Sequence, residues 1–348
     1  MPRRWAWGRS IARKLNILFT CAGRRVSLIT AFGKVLRELG LEGKLVVAEA
    51  NAATPAFHLA DKAFIVPAVG TVSYIPALLD ICRQNEIGLV IPVTDIDLRS
   101  LSRQAGSFAE LNCTVMIGSP SAVLTCRDKT RSAAFLEGIG LGLIRTLSLP
   151  EFLAKPFYPC FIKPIRGSAS VGTALIRNES ALKSHLALHG ELMLVQDYVP
   201  GAEYTLDIYR GRDGKVHSVV PRQRLAVRSG EVEKGLTVRD DELMHTGVLL
   251  GEKLDGIWGV INAQCRRPAG GKAHVFEINP RFGGGATLSI AAGANLPRYV
   301  IEETLGLPLS AKLGEFTPNL LMLRYDEAVY VNVDDPTKLP GYDTPQMR

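Results

Sequence analysis

Two short stretches place phosphate- and metal-handling side chains at strand ends. In Val275-Phe276-Glu277-Ile278-Asn279-Pro280-Arg281-Phe282-Gly283-Gly284-Gly285, strand alternation sends Glu277, Asn279 and Arg281 to one face and Phe276 and Ile278 into the core. Carboxylate and amide oxygens are hard ligands suited to Mg²⁺, and a guanidinium suits a phosphate oxygen beside it. The preceding strand of the same hairpin, 259–266, brings Gln264 within reach of Glu277. The bland alternative is a polar edge strand ending in a glycine turn. The second stretch, Ile162-Lys163-Pro164-Ile165-Arg166-Gly167-Ser168-Ala169-Ser170-Val171-Gly172, ends an apolar strand on a lysine. Its loop of small residues, Gly167, Ser168, Ser170 and Gly172, lets backbone N–H groups approach anionic oxygens closely. The loop lacks the G-x-x-x-x-G-K-[ST] order of a Walker A motif. Lys129 stands at a helix start, and an apolar strand over 192–197 enters a turn whose amides could hold an adenine edge, with Glu203 able to accept ribose hydroxyls.

These side chains need strands to carry them. Apolar runs at 15–20, 44–48, 64–66, 88–93 and 114–117 alternate with helical patterns, notably 74–85 and 98–111. That alternation predicts a parallel, doubly wound sheet over 15–118. After Gly118-Ser119-Pro120-Ser121 the texture changes: strands at 160–164, 173–177, 192–197, 203–210, 216–222, 259–266 and 273–278 predict an antiparallel α+β unit. Ligands of open α/β sheets sit beyond the carboxyl ends of the strands. There Arg24 or Arg25 could hold a substrate carboxylate, and Asp95 or Asp97 an amine. Arg222, Arg224, Arg228 and Lys234 form a basic run that faces either the phosphates, an acidic substrate or solvent. The first turn carries only Gly23 where G-x-G-x-x-G is needed, so hydride transfer is a poor reading.

Composition narrows the classes. The formal charge of +7 comes from seven basic residues and no acid within residues 1–25, leaving 34 of each sign afterwards. A pI near 9.1 therefore describes an N-terminal feature rather than a nucleic-acid-binding surface. No apolar run is long enough to span a bilayer. Six cysteines without C-x-x-C pairs argue against a zinc knuckle or a disulfide framework and point to a reducing, cytoplasmic setting.

The order of Lys129, Lys163 with its glycine loop, the segment from Gln196 to Glu203, Gln264 and Glu277-Ile278-Asn279-Pro280-Arg281 resembles the ATP-grasp superfamily over roughly residues 119–310. The segment 16–26 resembles the N-terminal domain of stand-alone ligases related to the carbamoyl-phosphate synthase large subunit and the pyrrolysine-pathway ligase. The resemblance implies a Rossmann-like (pre-ATP-grasp) α/β domain at 15–118 after a basic extension at 1–14. An α+β ATP-grasp fold follows, with a lid subdomain at 119–190, a C-terminal subdomain at 191–331 and a tail at 332–348. It implies that Lys129 and Lys163 contact ATP phosphates beneath the Gly167–Gly172 loop, with Gln196 and the backbone near Tyr198 and Val199 on adenine and Glu203 on ribose. Glu277 and Asn279 would hold Mg²⁺ or Mn²⁺, Gln264 would assist, and Arg281 would stabilise the transferring phosphoryl group. Arg24, Arg25, Asp95, Arg222 and Arg224 are left for the substrate. The implied activity is carboxylate–amine ligation through an acyl phosphate, with small-molecule carboxylate and amine partners, neither nucleic acid nor membrane, and a homodimer as the common assembly. A phosphotransferase or carbamoyl-phosphate-type synthase is the alternative within the superfamily, and a non-catalytic ATP-binding regulator the alternative outside it.

Overall fold

The computed structural model describes residues 14–165, 172–190, 192–228 and 230–333. Nearly all of the basic extension, the loop residues Gly167, Ser168 and Ser170, and the tail from 334 onward lie outside the described residues.

The first layer is β1 (Asn16–Thr20), α1 (Val26–Glu38), β2 (Leu45–Glu49), α2 (Pro55–Leu59), β3 (Lys62–Ile65), α3 (Tyr74–Gln84), β4 (Ile87–Pro92), α4 (Leu98–Ala109) and β5 (Thr114–Val115). The strands pair in parallel in the order β3-β2-β1-β4-β5. Ile17, Leu18 and Phe19 in the central strand are all fully buried, because helices cover both faces of the sheet. Cys21 and Gly23 adopt φ of +52° and +53° directly after β1, and the Gly23 N–H donates to Glu49 Oε1 at 2.5 Å. This tight turn sets Arg24 and Arg25 at the strand's carboxyl end.

The chain continues through α5 (Pro120–Arg127), α6 (Lys129–Gly138), β6 (Thr146–Ser148), α7 (Leu149–Ala154), β7 (Cys160–Pro164), β8 (Ala174–Ile176), α8 (Glu179–His189) and β9 (Met193–Asp197). Strands β6 to β9 form a small antiparallel sheet in the order β6-β9-β7-β8 with its own core around Phe152, Ile162 and Val195. Two expected boundaries therefore move. The small sheet extends to Asp197, past 190, because β9 pairs with both β6 and β7. The residues 120–138 belong with the following body, where Ala122, Cys126 and Leu136 share a core with Ile261 and Ile278.

That body comprises β10 (Ala202–Arg210), β11 (Val216–Arg228), β12 (Glu231–Thr237), α9 (Asp241–Lys253), β13 (Gly259–Arg267), β14 (His274–Asn279), α10 (Ala286–Ala291), α11 (Leu296–Thr304) and β15 (Leu321–Leu323). Its antiparallel sheet runs β14-β13-β10-β11-β12-β15. Strand β11 continues six residues beyond its expected end at Arg222, since β12 pairs with that extension. The body is joined to the first layer by a common core: Phe32 of α1 packs edge-on against Phe282 at 5.6 Å, in one cluster with Tyr209, Val260, Leu296 and Val300.

Candidate active site

A cavity of about 540 Å³ lies where the first layer, the small sheet and the body meet. Its phosphate-suited wall is built by strand ends. Lys163, the penultimate residue of β7, is only 4% exposed. Its Nζ donates to the Phe276 carbonyl at 3.1 Å, reaching from the small sheet to the body. Burial pulls the Lys163 ammonium down to about 8, against the opposing pull of Glu277. Lys129 follows the cap of α6, where Asp128 Oδ1 accepts from the Thr130 and Arg131 amides at 3.1 and 3.3 Å. Burial also lowers the Lys129 ammonium, and Glu277 again opposes the shift.

Opposite them, Glu277 and Gln264 are direct cross-strand partners, as the hairpin predicts. One expectation fails here. The register shifts between Gln264 and Cys265, which face Glu277 and Val275 respectively. Phe276 is thus the extra residue of a β-bulge and lines the cavity beside Glu277 instead of entering the core. Asn279 Nδ2 donates to Glu277 Oε1 at 2.9 Å, which orients the carboxylate. Among the described residues no group of three His, Cys, Asp or Glu side chains is placed to hold a metal. One carboxylate and two amides fit Mg²⁺ all the same, because this ion takes few protein ligands and completes its shell from phosphate oxygens and water.

Along the small sheet, Gln196 is buried and donates from Nε2 to Thr146 Oγ1 at 2.7 Å, while Tyr198 and Val199 line the same side of the cavity. Glu203 is also in the lining, but both its oxygens are engaged, by Arg224 Nε at 2.9 Å and Arg266 Nη2 at 3.1 Å. A ribose there would share this carboxylate with two guanidiniums.

The residues expected to hold substrate are redistributed. Asp95 does not present a free carboxylate to an amine: it takes both arms of Arg281, at 2.9 and 2.5 Å. This buried pair links the first layer to the body and fixes the arginine over the cavity. Asp97 lies outside the cavity lining, fully buried, with Tyr74 OH donating to it at 3.0 Å. The basic run of β11 splits. Arg222 is 1% exposed and bidentate to Asp207 at 2.7 and 3.0 Å. Arg224 holds Glu203, and Arg228 turns outward to Asp326 at 2.9 and 2.6 Å. Arg24 and Arg25 line the cavity; Arg25 Nη2 pairs with Glu231 at 2.7 Å, and Arg324 meets the same carboxylate at 3.0 Å. Burial lowers the Arg25 guanidinium despite Glu231, with Arg281 and Arg324 adding to the effect.

Sequence reasoning missed Asp207, Asn262, Ser289 and Glu231. Asp207 sits mid-strand and accepts from Arg222, from Asn262 Nδ2 at 2.8 Å and from Ser289 Oγ at 2.6 Å. The available signal was an acid amid Leu206, Ile208 and Tyr209, since a charge inside an apolar strand needs a partner.

Comparison with known proteins agrees with this architecture. Residues 17–116 match the family model described as PylC-like, N-terminal domain, and residues 189–326 match ATP-grasp in the biosynthetic pathway with Ter operon. The chain is an ATP-grasp protein. More particularly, it couples a PylC-like N-terminal domain to an ATP-grasp body. It is similar to D-alanine–D-alanine ligase of Thermotoga maritima, 30% identical over 130 residues, which is 33% of this chain and 40% of that relative. The match thus spans less than half the length of the relative. The fold is shared with N5-carboxyaminoimidazole synthetase from Staphylococcus aureus in complex with ADP, at a TM-score of 0.69 and 16% identity over 90% of this chain and 81% of that one. It is shared likewise with the biotin carboxylase domain dimer of the Hydrogenobacter thermophilus 2-oxoglutarate carboxylase, in complex with MgADP and bicarbonate. That likeness has a TM-score of 0.68 and 16% identity, covering 88% and 73% of the two chains. Among the described residues no helix is long and apolar enough to cross a membrane.

Proposed function

We propose that this protein is an ATP- and Mg²⁺-dependent ligase that joins a small carboxylic acid to an amine through an acyl phosphate, releasing ADP and phosphate. The observation that carries the reading is the convergence on one cavity of Lys129, Lys163, Glu277 and the Asp95-held Arg281. Phosphoryl transfer needs positioning and charge neutralisation more than covalent help, and these are the residue types that provide both. Lys129 and Lys163 bind phosphate oxygens, and the low cost of protonating Lys163 once an anion arrives keeps it cationic in the complex. Gln196, Tyr198 and Val199 receive the adenine and Glu203 the ribose. Glu277 and Asn279, with Gln264, would hold Mg²⁺ or Mn²⁺, which neutralises phosphate charge when bound. Arg281, rigidly paired to Asp95, faces the transferring phosphoryl group. The acid's carboxylate oxygen attacks the γ-phosphorus and ADP leaves; the amine nitrogen then attacks the acyl carbon, phosphate leaves and the nitrogen gives up a proton. The proposal includes the small-molecule partners, a homodimer like that of the biotin carboxylase domain, and a cytoplasmic setting compatible with six free cysteines.

The test is ADP release with carboxylates and amines supplied in pairs, with hydroxylamine as a general amine. Acid-dependent ADP release with an acyl hydroxamate product is the expected result. A stable phosphorylated product would convert the reading to a phosphotransferase, and nucleotide binding without turnover on any pair would reduce it to an ATP-binding protein.

A further inference from the structure

Resting on the ligase reading, we propose that Tyr74 and Asp97 are positioning residues for phosphoryl transfer: they lock the turn of residues 94–97 and, through Asp95, hold Arg281 at the transferring group. Asp97 immediately precedes α4, where an aspartate ordinarily accepts from the free amides of the first helical turn. Its side chain makes no such bond. It is instead fully buried, and its Oδ2 accepts from Tyr74 OH at 3.0 Å. Forgoing a helix cap and burying a carboxyl are both costly, and burial raises the Asp97 carboxyl against the opposing pull of Thr20 and Tyr74. Tyr74, the first residue of α3, is itself 1% exposed. Its hydroxyl also lies 3.8 Å from Cys21 Sγ, so one phenol oxygen joins the carboxyl ends of β1 and β4. The turn has little else to hold it. Among the described residues, no backbone amide of residues 94–97 donates to a backbone carbonyl, and Thr94 Oγ1 is buried without a partner. Its two acids fasten it from opposite sides. Asp97 reaches inward to Tyr74, away from the cavity lining, and Asp95 reaches Arg281 within the lining. The bidentate pair fixes Arg281 relative to Asp95, and the Tyr74–Asp97 bond fixes the turn that carries Asp95 relative to the parallel sheet. A guanidinium that must meet charge developing on a phosphoryl group loses much of its effect when misplaced by about 1 Å.

The principal variant is Tyr74→Phe, which removes the hydroxyl and keeps the ring in its apolar cluster. The first readout is acid-dependent ADP release with hydroxylamine as the amine. Tyr74→Phe should lower kcat about 10-fold, while the Kd of MgADP changes by less than about 2-fold because the lysines and Glu277 are untouched. In an Asp95→Ala background the same substitution should change kcat by less than about 2-fold, since the route to Arg281 is already cut. Asp97→Asn keeps an acceptor for the Tyr74 hydroxyl and should stay nearer to the wild-type kcat than Tyr74→Phe does. The second readout needs no turnover. Arg281 Nε donates to Asp95 Oδ1 at 2.9 Å, so its N–H resonance, identified by its loss in Arg281→Lys, should exchange slowly with solvent in wild type. Exchange should be about 10-fold faster in Tyr74→Phe. An unchanged kcat, kcat losses that multiply in the double variant, or an Arg281 resonance indifferent to Tyr74→Phe overturns the proposal. A parallel loss of kcat and MgADP affinity also overturns it, because that pattern marks general damage to the site. If no pair of acid and amine releases ADP, the ligase reading fails, and the Arg281 resonance still decides whether Tyr74 and Asp97 hold that arginine.

Discussion

The two ends of the cavity are made in different ways. At the phosphate end, Lys163 and the run from Glu277 to Arg281 sit at the tips of two strands, and adjacent residues in the chain are adjacent in the site. At the other end, Arg25, Arg222, Glu231 and Gly284-Gly285 come from four separate segments, and nearly every charge is matched inside the protein. The first arrangement presents cations for a polyanion to neutralise. The second has mostly neutralised itself, and Arg222 Nη1 within it is buried without a hydrogen-bond acceptor. Charge strength suits a nucleotide, whereas a fixed, nearly balanced pocket selects by shape.

Perturbing each end should separate them. The largest effect is expected from Glu277→Ala and Lys163→Ala, each reducing acid-dependent ADP release by on the order of a hundredfold to a thousandfold, with the far-ultraviolet circular dichroism spectrum preserved. Full turnover in either variant would dissolve the distinction at its strong end. Asp207→Ala acts differently: it leaves the Arg222 charge buried and unpaired, and urea unfolding should report a loss of about 3–5 kcal/mol. If Asp207→Ala unfolds like wild type, the network beneath the second end is not rigid. Asp95→Ala releases Arg281 and should lower kcat more than it raises the KM for ATP, which steady-state kinetics will resolve. The smallest effect is the pH response of Lys163. With its ammonium near 8 in the free protein, nucleotide affinity should weaken as pH rises through that value. The same depression makes the Lys163 contribution to the stability of the ligand-free fold grow from about pH 8 up towards the ordinary lysine range near 10.4, because only the unfolded chain still carries that proton there. Five thiols raised in the folded state (Cys21, Cys82, Cys126, Cys160 and Cys265) act in the opposite sense above about pH 8.5. The Lys163 contribution is therefore read as the difference between wild-type and Lys163→Met melts, which should grow across this window while MgADP affinity by calorimetric titration falls.

The same contrast explains what could be read from the sequence. The parallel sheet was legible because β1, β2 and β4 are apolar runs separated by amphipathic helices, and Lys163, Glu277, Asn279 and Gln264 were legible because strand period and hairpin pairing are local. Phe276 was misplaced because a bulge adds one residue to a strand and leaves no mark in alternation. The pairing of Asp95 with Arg281 joins residues 186 positions apart, and Arg222 with its acid depends on which strands become neighbours. Strands β12 and β15 escaped notice for a related reason: their side chains are mixed, and their partners rather than their composition make them strands.

The edge-on contact of Phe32 with Phe282 also limits how the molecule can come apart. Because the apolar cluster runs from Leu15 through Val260 to Leu296 and Ala311, the first layer and the body should melt in a single cooperative step. The small sheet has its own interior around Phe152 and is held to the body by contacts such as Lys163 Nζ to the Phe276 carbonyl, so it should open ahead of the rest. Amide exchange should then find the fastest-opening strands in β6 to β9. A fragment beginning after Gly118 should be insoluble, since it would expose Phe282 and Val300 to water.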